Sequence, residues 1–461
     1  MYIIDFKKPV HVHFIGIGGI SMSGLAEILL DRGFTVSGSD MVASRITDHL
    51  KSIGAQIAIG QRASNITDDI DLIVFTAAVH EDNPEYQEAA RRQIPMLSRA
   101  ALLGQIMANY PCSIAVAGTH GKTTTTSMLT HILLAGDLDP TVSVGGMLDR
   151  IGGNIRVSQS DVFLTEACEY TNSFLEFYPY YTIILNIEED HMDFFKDLDD
   201  IKKSFKIFAS QTAADGLIII NGDMPHTDDI LSGLSQKHIT FGLNPDNKFS
   251  AKDIIFDKEG NTSYTLMIDG ESTVDVRLHL KGVHNVLDSL AAIACAYSMG
   301  MSMDSILLGL DSFKGTHRRF EYKGKIGSVT VVDDYAHHPT EIKATLESAK
   351  NYEHDELWVI FQPHTYTRTM AFLPQFAEAL ALADHVILAD IYAAREPDNG
   401  LIHSLDIVNL LRKAGADVYY FPSFDEIERF IKTRVRGKDL LITMGAGDIY
   451  MVGEDLIKES K

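Results

Sequence analysis

The chain has 461 residues, of which 45% are hydrophobic and 22% are charged, so it is long enough for about three domains with separate apolar cores. Its formal net charge is −23 at pH 7 and it contains no basic run, which argues against a nucleic-acid partner. Three cysteines without metal spacing, no signal-peptide pattern and no apolar run of about 18 residues predict a cytoplasmic protein without membrane insertion.

Residues 10–108 alternate apolar strands with amphipathic helices. The strand VHVHFIGIG precedes the helix SMSGLAEILLDRG, and FTVSGSD and DLIVFTAAV are further strands. This alternation predicts a parallel, doubly wound sheet.

A second unit begins after the break at residues 109–111, where a new strand, SIAVAG, follows a proline. Within it, SYTLMIDGESTVDVRLHL alternates with a period of two around an Asp-Gly turn, which predicts a small antiparallel sheet. A third unit begins near residue 315 and contains the strands VTVVDDYA, LWVIFQ, HVILAD and DLLITMG. The predicted domains are therefore residues 1–108, 109–316 and 317–461.

A glycine-rich loop with a lysine lies between the strand SIAVA and the next helix. It reads Gly118-Thr119-His120-Gly121-Lys122-Thr123-Thr124. Glycines let backbone N–H groups face phosphate oxygens, Lys122 supplies a positive charge, and the Thr123 hydroxyl is a ligand for Mg²⁺. The loop is short, because the position five before Gly121 is Val116, but its context still predicts a site for ATP and Mg²⁺.

A second glycine cluster lies in the first strand–helix turn, and an acid ends the following strand. These residues are Gly16, Gly18, Gly19 and Asp40. A dinucleotide-binding fold places such a turn against a pyrophosphate and such an acid against a ribose. Ser21 replaces the third glycine, which weakens the case for NAD. The pattern predicts a phosphate-bearing ligand, with a tight turn that binds nothing as the alternative.

Two polar residues, Glu166 and His191, follow buried strands and are expected next to the phosphate loop. Mg²⁺ prefers oxygen ligands, which suits Glu166, whereas an imidazole is a less common ligand. His191 is thus either a metal ligand or a structural histidine. Asp190 and Asp193 are alternatively acids at a helix N-terminus.

The third unit carries two polar loops after strands, residues 334–339 and 362–368. Together they gather Arg, His and Tyr, and an arginine can bind a carboxylate through two parallel hydrogen bonds. They predict a site for a small anion. In the second unit, Asn285 starts a predicted helix, where it either contacts an adenine edge or serves as an N-cap.

In this order, GIGGISMSGLAE, GTHGKTTTT, NIEEDHMD, GTHRRFE, DDYAHHPTE and FQPHTYTRT resemble the motifs of the Mur ligase family over nearly the whole chain. The resemblance implies an α/β fold of three domains: a Rossmann-like domain for a UDP-sugar, a central phosphate-loop ATPase, and a Rossmann-like C-terminal domain that brings the amino acid. The segments GIGG, MSG, YAHHP and QPHTYTR are similar to those of the member that joins L-alanine to UDP-N-acetylmuramate.

The resemblance also implies roles for individual residues. The implied ATP contacts are the loop from Gly118 to Thr124 with Asn285, Asp288 and Arg319. The implied metal ligands are Thr123, Glu166 and His191, with Lys122, Glu166 and His191 as catalytic residues. The implied UDP-sugar contacts are Gly16, Gly18, Gly19, Ser39 and Asp40, and the implied L-alanine contacts are Tyr335, His337 and Arg368.

Two departures from the family bear on these roles. Asp288 stands where many members carry Asn, so it can accept from an adenine amino group but cannot donate to a ring nitrogen. Thr365 stands where some members carry Arg, which leaves Arg368 as the expected cation of its loop.

The implied reaction proceeds through an acyl phosphate, which requires domain closure to exclude water. Three alternatives remain open: a ligase that reattaches a recycled tripeptide to the same sugar nucleotide, a nicotinamide-dependent oxidoreductase, and a non-catalytic nucleotide-binding switch. Either a monomer or a homodimer is compatible with the sequence.

Overall fold

The computed structural model describes residues 2–76, 78–394 and 396–460. They form three α/β units in chain order, each built around one sheet. The predicted α/β fold of three units is confirmed.

The N-terminal unit is a doubly wound sheet. Its elements are β1 (His11–Ile15), α1 (Ile20–Asp31), β2 (Thr35–Asp40), α2 (Arg45–Ser52), β3 (Gln56–Ile59), β4 (Leu72–Phe75), α3 (Pro84–Arg92), β5 (Met96–Ser98) and α4 (Arg99–Met107). All strand pairs are parallel, in the order β3-β2-β1-β4-β5. The strand order reverses between β1 and β4, so the glycine turn after β1 lies at the position where such sheets bind ligands.

The central unit is a long mixed sheet. Its elements are β6 (Cys112–Ala117), α5 (Lys122–Ala135), β7 (Thr141–Leu148), β8 (Gly153–Arg156), β9 (Val162–Ala167), β10 (Tyr181–Ile184), α6 (Leu198–Ser210), β11 (Leu217–Asn221), α7 (Thr227–Leu231), β12 (Lys237–Gly242), β13 (Phe249–Phe256), β14 (Asn261–Ile268), β15 (Glu271–Lys281), α8 (Val283–Ser298) and α9 (Met303–Ser312).

The strand order of this sheet is β15-β14-β13-β12-β11-β10-β6-β9-β7-β8. The predicted antiparallel strands, β14 and β15, are not a free-standing sheet, because β14 pairs with β13, which joins β12 through a two-residue parallel contact. Strand β6 lies between β10 and β9, and all three are parallel. The segments that follow these strands therefore meet at one edge.

The C-terminal unit is a second doubly wound sheet with one antiparallel edge strand. Its elements are β16 (Glu321–Ile326), β17 (Val329–Asp334), α10 (Pro339–Ala349), β18 (Leu357–Phe361), α11 (Tyr366–Ala371), α12 (Leu373–Leu380), β19 (His385–Leu388), α13 (Ser404–Lys413), β20 (Asp417–Tyr420), α14 (Phe424–Arg434), β21 (Leu440–Met444) and α15 (Tyr450–Glu459). The order is β16-β17-β21-β18-β19-β20. Among the described strands of this sheet, only the β16–β17 pair is antiparallel.

The N-terminal and central units share an apolar core, whereas the C-terminal unit has cores of its own. One buried cluster contains Leu25 and Ile106 from the N-terminal unit together with Phe174 and Phe205 from the central unit. The two buried clusters of the C-terminal unit contain only its own residues, and Met192 packs against one of them from the central unit. Hydrophobic burial therefore joins the first two units more strongly than the last two.

Helices long and apolar enough to cross a membrane do not occur in the part of the chain that the structure describes.

We expect Gly104→Ala to destabilise the joint between the first two units. A Cβ at Gly104 in α4 would collide with the carbonyl oxygen of Glu176 in the central unit. Alanine is the better helix former, so the clash has to outweigh that gain, and we expect a net loss of about 2 kcal/mol. Calorimetric unfolding measures it, with Gly153→Ala as the control because its added Cβ lies 4.0 Å from its nearest neighbours. An unchanged or raised Tm for Gly104→Ala would contradict the packing.

Candidate functional site

The phosphate loop runs from β6 to α5 and is shaped by two glycines. Gly118 and Gly121 have φ of 147° and 83°, a region that side-chain-bearing residues rarely adopt. Gly121 is also the N-cap of α5, so the first N–H groups of the helix face the open side of the loop. Asn186, which follows β10, fixes the loop from behind: its amide accepts from the N–H of His120 at 2.7 Å and donates to the carbonyl of His120 at 3.1 Å.

Lys122 is held on this loop by a carboxylate that the sequence analysis did not single out. Its Nζ lies 3.1 Å from Glu169 Oε2 and donates to the carbonyl oxygens of Gly118 and Thr119. The two side chains are only 16% and 3% exposed. Burial acts to lower the pKa of Lys122, but Glu169 outweighs it and raises that pKa above its usual range. Lys122 is therefore a charged ammonium.

Glu166 in β9 and His191 after β10 reach the same edge from the two sides of β6. Glu166 Oε1 accepts the N–H of Gly145 at 2.6 Å, and His191 Nε2 lies 3.8 Å from Glu169 Oε1. His191 has a φ of 54°, which is uncommon for a residue with a side chain and frequent at functional sites. Burial lowers the pKa of His191, so its imidazole is neutral and offers a lone pair. The carboxylate of Glu166 and the hydroxyl of Thr123 are the kind of oxygen donor that Mg²⁺ prefers.

The alternative placement of Asp190 and Asp193 at a helix N-terminus is wrong. The helix α6 begins only at Leu198, and its N-cap is Asp197. Asp193 accepts from the hydroxyl of Tyr170 at 2.8 Å. Asp190 instead contacts the C-terminal unit.

A cavity of about 620 Å³ adjoins the phosphate loop between the central and C-terminal units. This volume is typical of small-molecule sites. Seven of the ten residues that the family resemblance assigned to ATP line it: His120, Gly121, Thr123, Thr124, Asn285, Asp288 and Arg319. The other three, Gly118, Thr119 and Lys122, lie in the same loop but not on the cavity wall.

Two residues of α8 behave differently from expectation. Gly282 is the N-cap of α8, so the N-cap alternative for Asn285 is wrong. The side-chain amide of Asn285 instead donates to the carbonyl of Lys281 at 2.7 Å. Burial raises the pKa of Asp288 to about 8. Asp288 is therefore largely a neutral acid at pH 7 and can donate as well as accept, whereas the ionised carboxylate expected from the sequence can only accept.

The predicted anion pocket of the C-terminal unit is assembled, but its arginine is already paired. The ring of His337 lies 5.4 Å from that of Tyr335 and 5.7 Å from that of His364. Arg368 Nε and Nη2 donate to Asp190 Oδ1 of the central unit at 3.0 and 2.9 Å. The two side chains are 9% and 8% exposed. Arg368 is thus not a free cation: both of its bonds to Asp190 use a single carboxylate oxygen, and its Nη1 donates to His364 Nδ1 at 3.3 Å.

The glycine turn of the N-terminal unit is held by its own sheet. Gly16 has a φ of 84°, and its N–H donates to the carbonyl of Ser39 at 2.9 Å. The N–H of Gly18 donates to Asp40 Oδ2 at 2.9 Å. The side chain of Ser39 is fully buried and donates to Glu85 at 2.5 Å. The Ser39 hydroxyl thus supports the turn from behind, and the implied contact of Ser39 with the UDP-sugar stays a prediction.

The three units match three family models in chain order. Residues 11–111 match the Mur ligase family, catalytic domain; residues 116–296 match the Mur ligase middle domain; and residues 318–447 match the Mur ligase, glutamate ligase domain.

Curated relatives and solved structures agree with these models. The UDP-N-acetylmuramate–L-alanine ligase of Agathobacter rectalis is 57% identical, and that of Lachnospira eligens is 54% identical, with at least 99% of each chain covered. The structure of the UDP-N-acetylmuramate–alanine ligase of Thermotoga maritima is 30% identical, covers 97% of this chain and 98% of its own, and gives a TM-score of 0.79. A murein peptide ligase of Psychrobacter arcticus is 26% identical over 98% of both chains, with a TM-score of 0.69. The chain belongs to the Mur ligase family.

Proposed function

We propose that this chain uses ATP to join L-alanine to the lactyl carboxylate of UDP-N-acetylmuramate, a step of peptidoglycan synthesis. The observation that carries the proposal is that the phosphate loop adjoins a cavity between the central and C-terminal units, and that the loop 362–368 contacts Asp190 in the segment after β10, in a chain 57% identical over its full length to a ligase of that name. A phosphate site beside an anion pocket suits a reaction that activates one carboxylate and binds another.

The chemistry follows from the poor reactivity of a carboxylate. One oxygen of the lactyl carboxylate attacks the γ-phosphorus of ATP, the bond to the β-phosphate oxygen breaks, and ADP leaves. The amine of L-alanine then attacks the carbonyl carbon of the acyl phosphate, loses a proton, and phosphate leaves as the amide forms. Both steps concentrate negative charge on phosphate oxygens, which positioned cations and N–H groups stabilise.

This chain offers those groups in one place. The N–H groups at the start of α5 and the ammonium of Lys122 would bind the phosphates, and Glu169 keeps that ammonium on the loop. Thr123, Glu166 and His191 would hold Mg²⁺, which supplies charge neutralisation at the phosphates when bound. Asn285 and Asp288 would bind the adenine, and Arg319 the nucleotide from the connection between units.

We assign L-alanine to the pocket of Tyr335, His337 and Arg368. Burial lowers the pKa of His337 to about 3, so that imidazole is neutral and adds no charge to the pocket. Arg368 would bind the carboxylate of the amino acid. Because the Nε and Nη2 bonds of Arg368 use only one of the two oxygens of Asp190, we propose that L-alanine binds beside this pair.

We place the UDP moiety at the turn Gly16, Gly18 and Gly19, with Asp40 next to it. The reaction would take place in the cytoplasm, where ATP is available, and Cys112, Cys168 and Cys295 are all free thiols.

The function is tested by the substrates that phosphate release requires. We expect release from ATP only when UDP-N-acetylmuramate and L-alanine are both present. The tripeptide of recycled peptidoglycan in place of L-alanine tests the closest alternative, since murein peptide ligases share this fold. Phosphate release that does not depend on the UDP-sugar would indicate a nucleotide-binding switch. A preference for the tripeptide over L-alanine would overturn the assignment of L-alanine.

We expect Lys122→Met to reduce turnover on the order of 10³-fold, because the phosphoryl transfer loses a positioned charge. The variant also leaves Glu169 buried without its cation, which costs about 3 kcal/mol. Adding Glu169→Gln should restore the stability but not the turnover, so calorimetry and kinetics together separate the two roles. Lys438→Met, which removes an exposed ion pair with Glu353, is the control. Turnover restored in the double variant would remove Lys122 from the reaction.

Gly18→Ala should weaken the binding of UDP-N-acetylmuramate and leave ATP affinity unchanged. An added Cβ would lie 2.8 Å from Asp40 Oδ2 and would displace the carboxylate that holds the turn. We expect a loss of about tenfold, which corresponds to 1.4 kcal/mol. Isothermal titration of both ligands measures it, with Gly153→Ala as control, because Gly153 lies outside the turn and its nearest atoms are 4.0 Å away. A parallel loss of both affinities would contradict the assignment of the N-terminal unit.

Arg368→Ala should raise the KM for L-alanine on the order of 100-fold, the effect of truncating a buried charge pair. Formation of the acyl phosphate, followed by positional isotope exchange in ATP without L-alanine, should fall less. Arg434→Ala removes an exposed arginine that stacks on Tyr419 and is the control. Loss of exchange with an unchanged KM would place Arg368 on the nucleotide side.

A further inference from the structure

The phosphate-loop histidine, His120, lies between two carboxylates from different units. Its Nδ1 is 3.2 Å from Glu341 Oε1 in α10 of the C-terminal unit, and its Nε2 is 3.5 Å from Glu188 Oε2 in the central unit. His120 and Glu341 are each 13% exposed. Burial acts to lower the pKa of His120, but the two carboxylates outweigh it and raise that pKa to about 9. The side chain is therefore an imidazolium shared between the units.

Glu341 links this contact to the rest of the C-terminal unit. It lies in the first turn of α10, where its carboxylate accepts the N–H groups of His337 and His338 at 3.1 and 3.3 Å. Its other oxygen lies 3.7 Å from Nη1 of Arg319. The carboxylate that contacts His120 is thus fixed to the residues that we assign to L-alanine and to the nucleotide.

A second set of contacts runs parallel to this one. The hydroxyl of Thr340 donates to Glu188 Oε2 at 2.6 Å, and Nε2 of His338 donates to the carbonyl of Glu189 at 3.0 Å. The rings of His120 and His338 are 4.8 Å apart. The start of α10 therefore rests on the phosphate loop and on the segment after β10 together.

His120, Glu188 and His338 are close enough to suggest a metal site, but both ring nitrogens of His338 are already used. Nδ1 of His338 accepts the N–H of Thr340 at 3.3 Å while its Nε2 donates to Glu189. A ring with both nitrogens committed has no lone pair left for a metal. The cluster is therefore a contact between units.

We propose that His120 is a positioning residue that ties the phosphate loop to α10, so that docking of the C-terminal unit holds the loop in the shape that receives ATP. The inference rests on the proposed ligase function and deepens it. The backbone of His120 is held on both sides by Asn186, so loss of its side-chain contact displaces α10 relative to the loop. Small displacements of this kind reduce rates strongly, because catalysis depends on exact placement of the reacting groups.

A double-mutant cycle between His120 and Glu341 tests the proposal. His120→Ala removes the contact, His120→Asn retains a donor near the position of Nδ1, and Glu341→Gln retains the helix cap but removes the charge. We expect His120→Ala and Glu341→Gln each to lower kcat about 10- to 100-fold, with the affinity for UDP-N-acetylmuramate unchanged. The double variant should be no slower than the slower single variant, and His120→Asn should recover part of the rate.

The matched control is His385→Asn. His385 also lies between two carboxylates, Glu356 at 3.2 Å and Asp417 at 2.6 Å, but at the start of β19, the opposite end of its sheet from the site. We expect no change in kcat there. Additive losses in the cycle, or a kcat of Glu341→Gln equal to that of the wild type, would overturn the role of His120. Absence of ligation by the wild-type chain would instead overturn the proposed function itself.

Discussion

The site depends on the pairing of buried cations with carboxylates from other segments of the chain. Lys122 pairs with Glu169, His120 with Glu341, and Arg368 with Asp190. A buried ammonium or guanidinium is costly without such a partner, and losing one partner costs several kcal/mol. These pairs keep the cations charged and in place before substrate binds. Two of the three pairs cross from the central to the C-terminal unit, so the same interactions that prepare the cations also hold the two units together.

The architecture explains why so many polar groups meet. Parallel strands end at one edge of a sheet, and β10, β6 and β9 bring residues 185–193, the phosphate loop and Glu166 to that edge. The C-terminal unit presents its own carboxyl-end loops to the same place. The N-terminal and central units share an apolar core, whereas the C-terminal unit reaches the central unit mainly through ion pairs and hydrogen bonds. Water and ligands can replace polar contacts more readily than they can replace the contacts of an apolar core. Polar contacts therefore suit a unit that must open for substrates and close for chemistry.

The sequence predicted the parts of the site that depend on local pattern. A Gly-Lys-Thr loop between a buried strand and a helix is typical of phosphate binding, and the β–α alternation predicted the sheets. What escaped prediction depends on contacts through space: Arg368 and Asp190 are 178 positions apart, and the buried Ser39 of β2 has its partner, Glu85, on α3. The protonation of Asp288 depends on burial, which residue type alone does not report. The domain boundaries at 108 and 316 and the oligomeric state remain predictions.

The central claim is that charge pairs around residues 186–193 hold the C-terminal unit against the phosphate loop. Small-angle X-ray scattering of the ligand-free chain tests it most directly, by comparing the wild type with a variant carrying Asp190→Asn and Glu341→Gln. The account predicts a larger radius of gyration for the variant, with the fold of each unit intact by circular dichroism. Equal radii of gyration for the wild type and the variant would show that other contacts hold the two units together and would contradict the account.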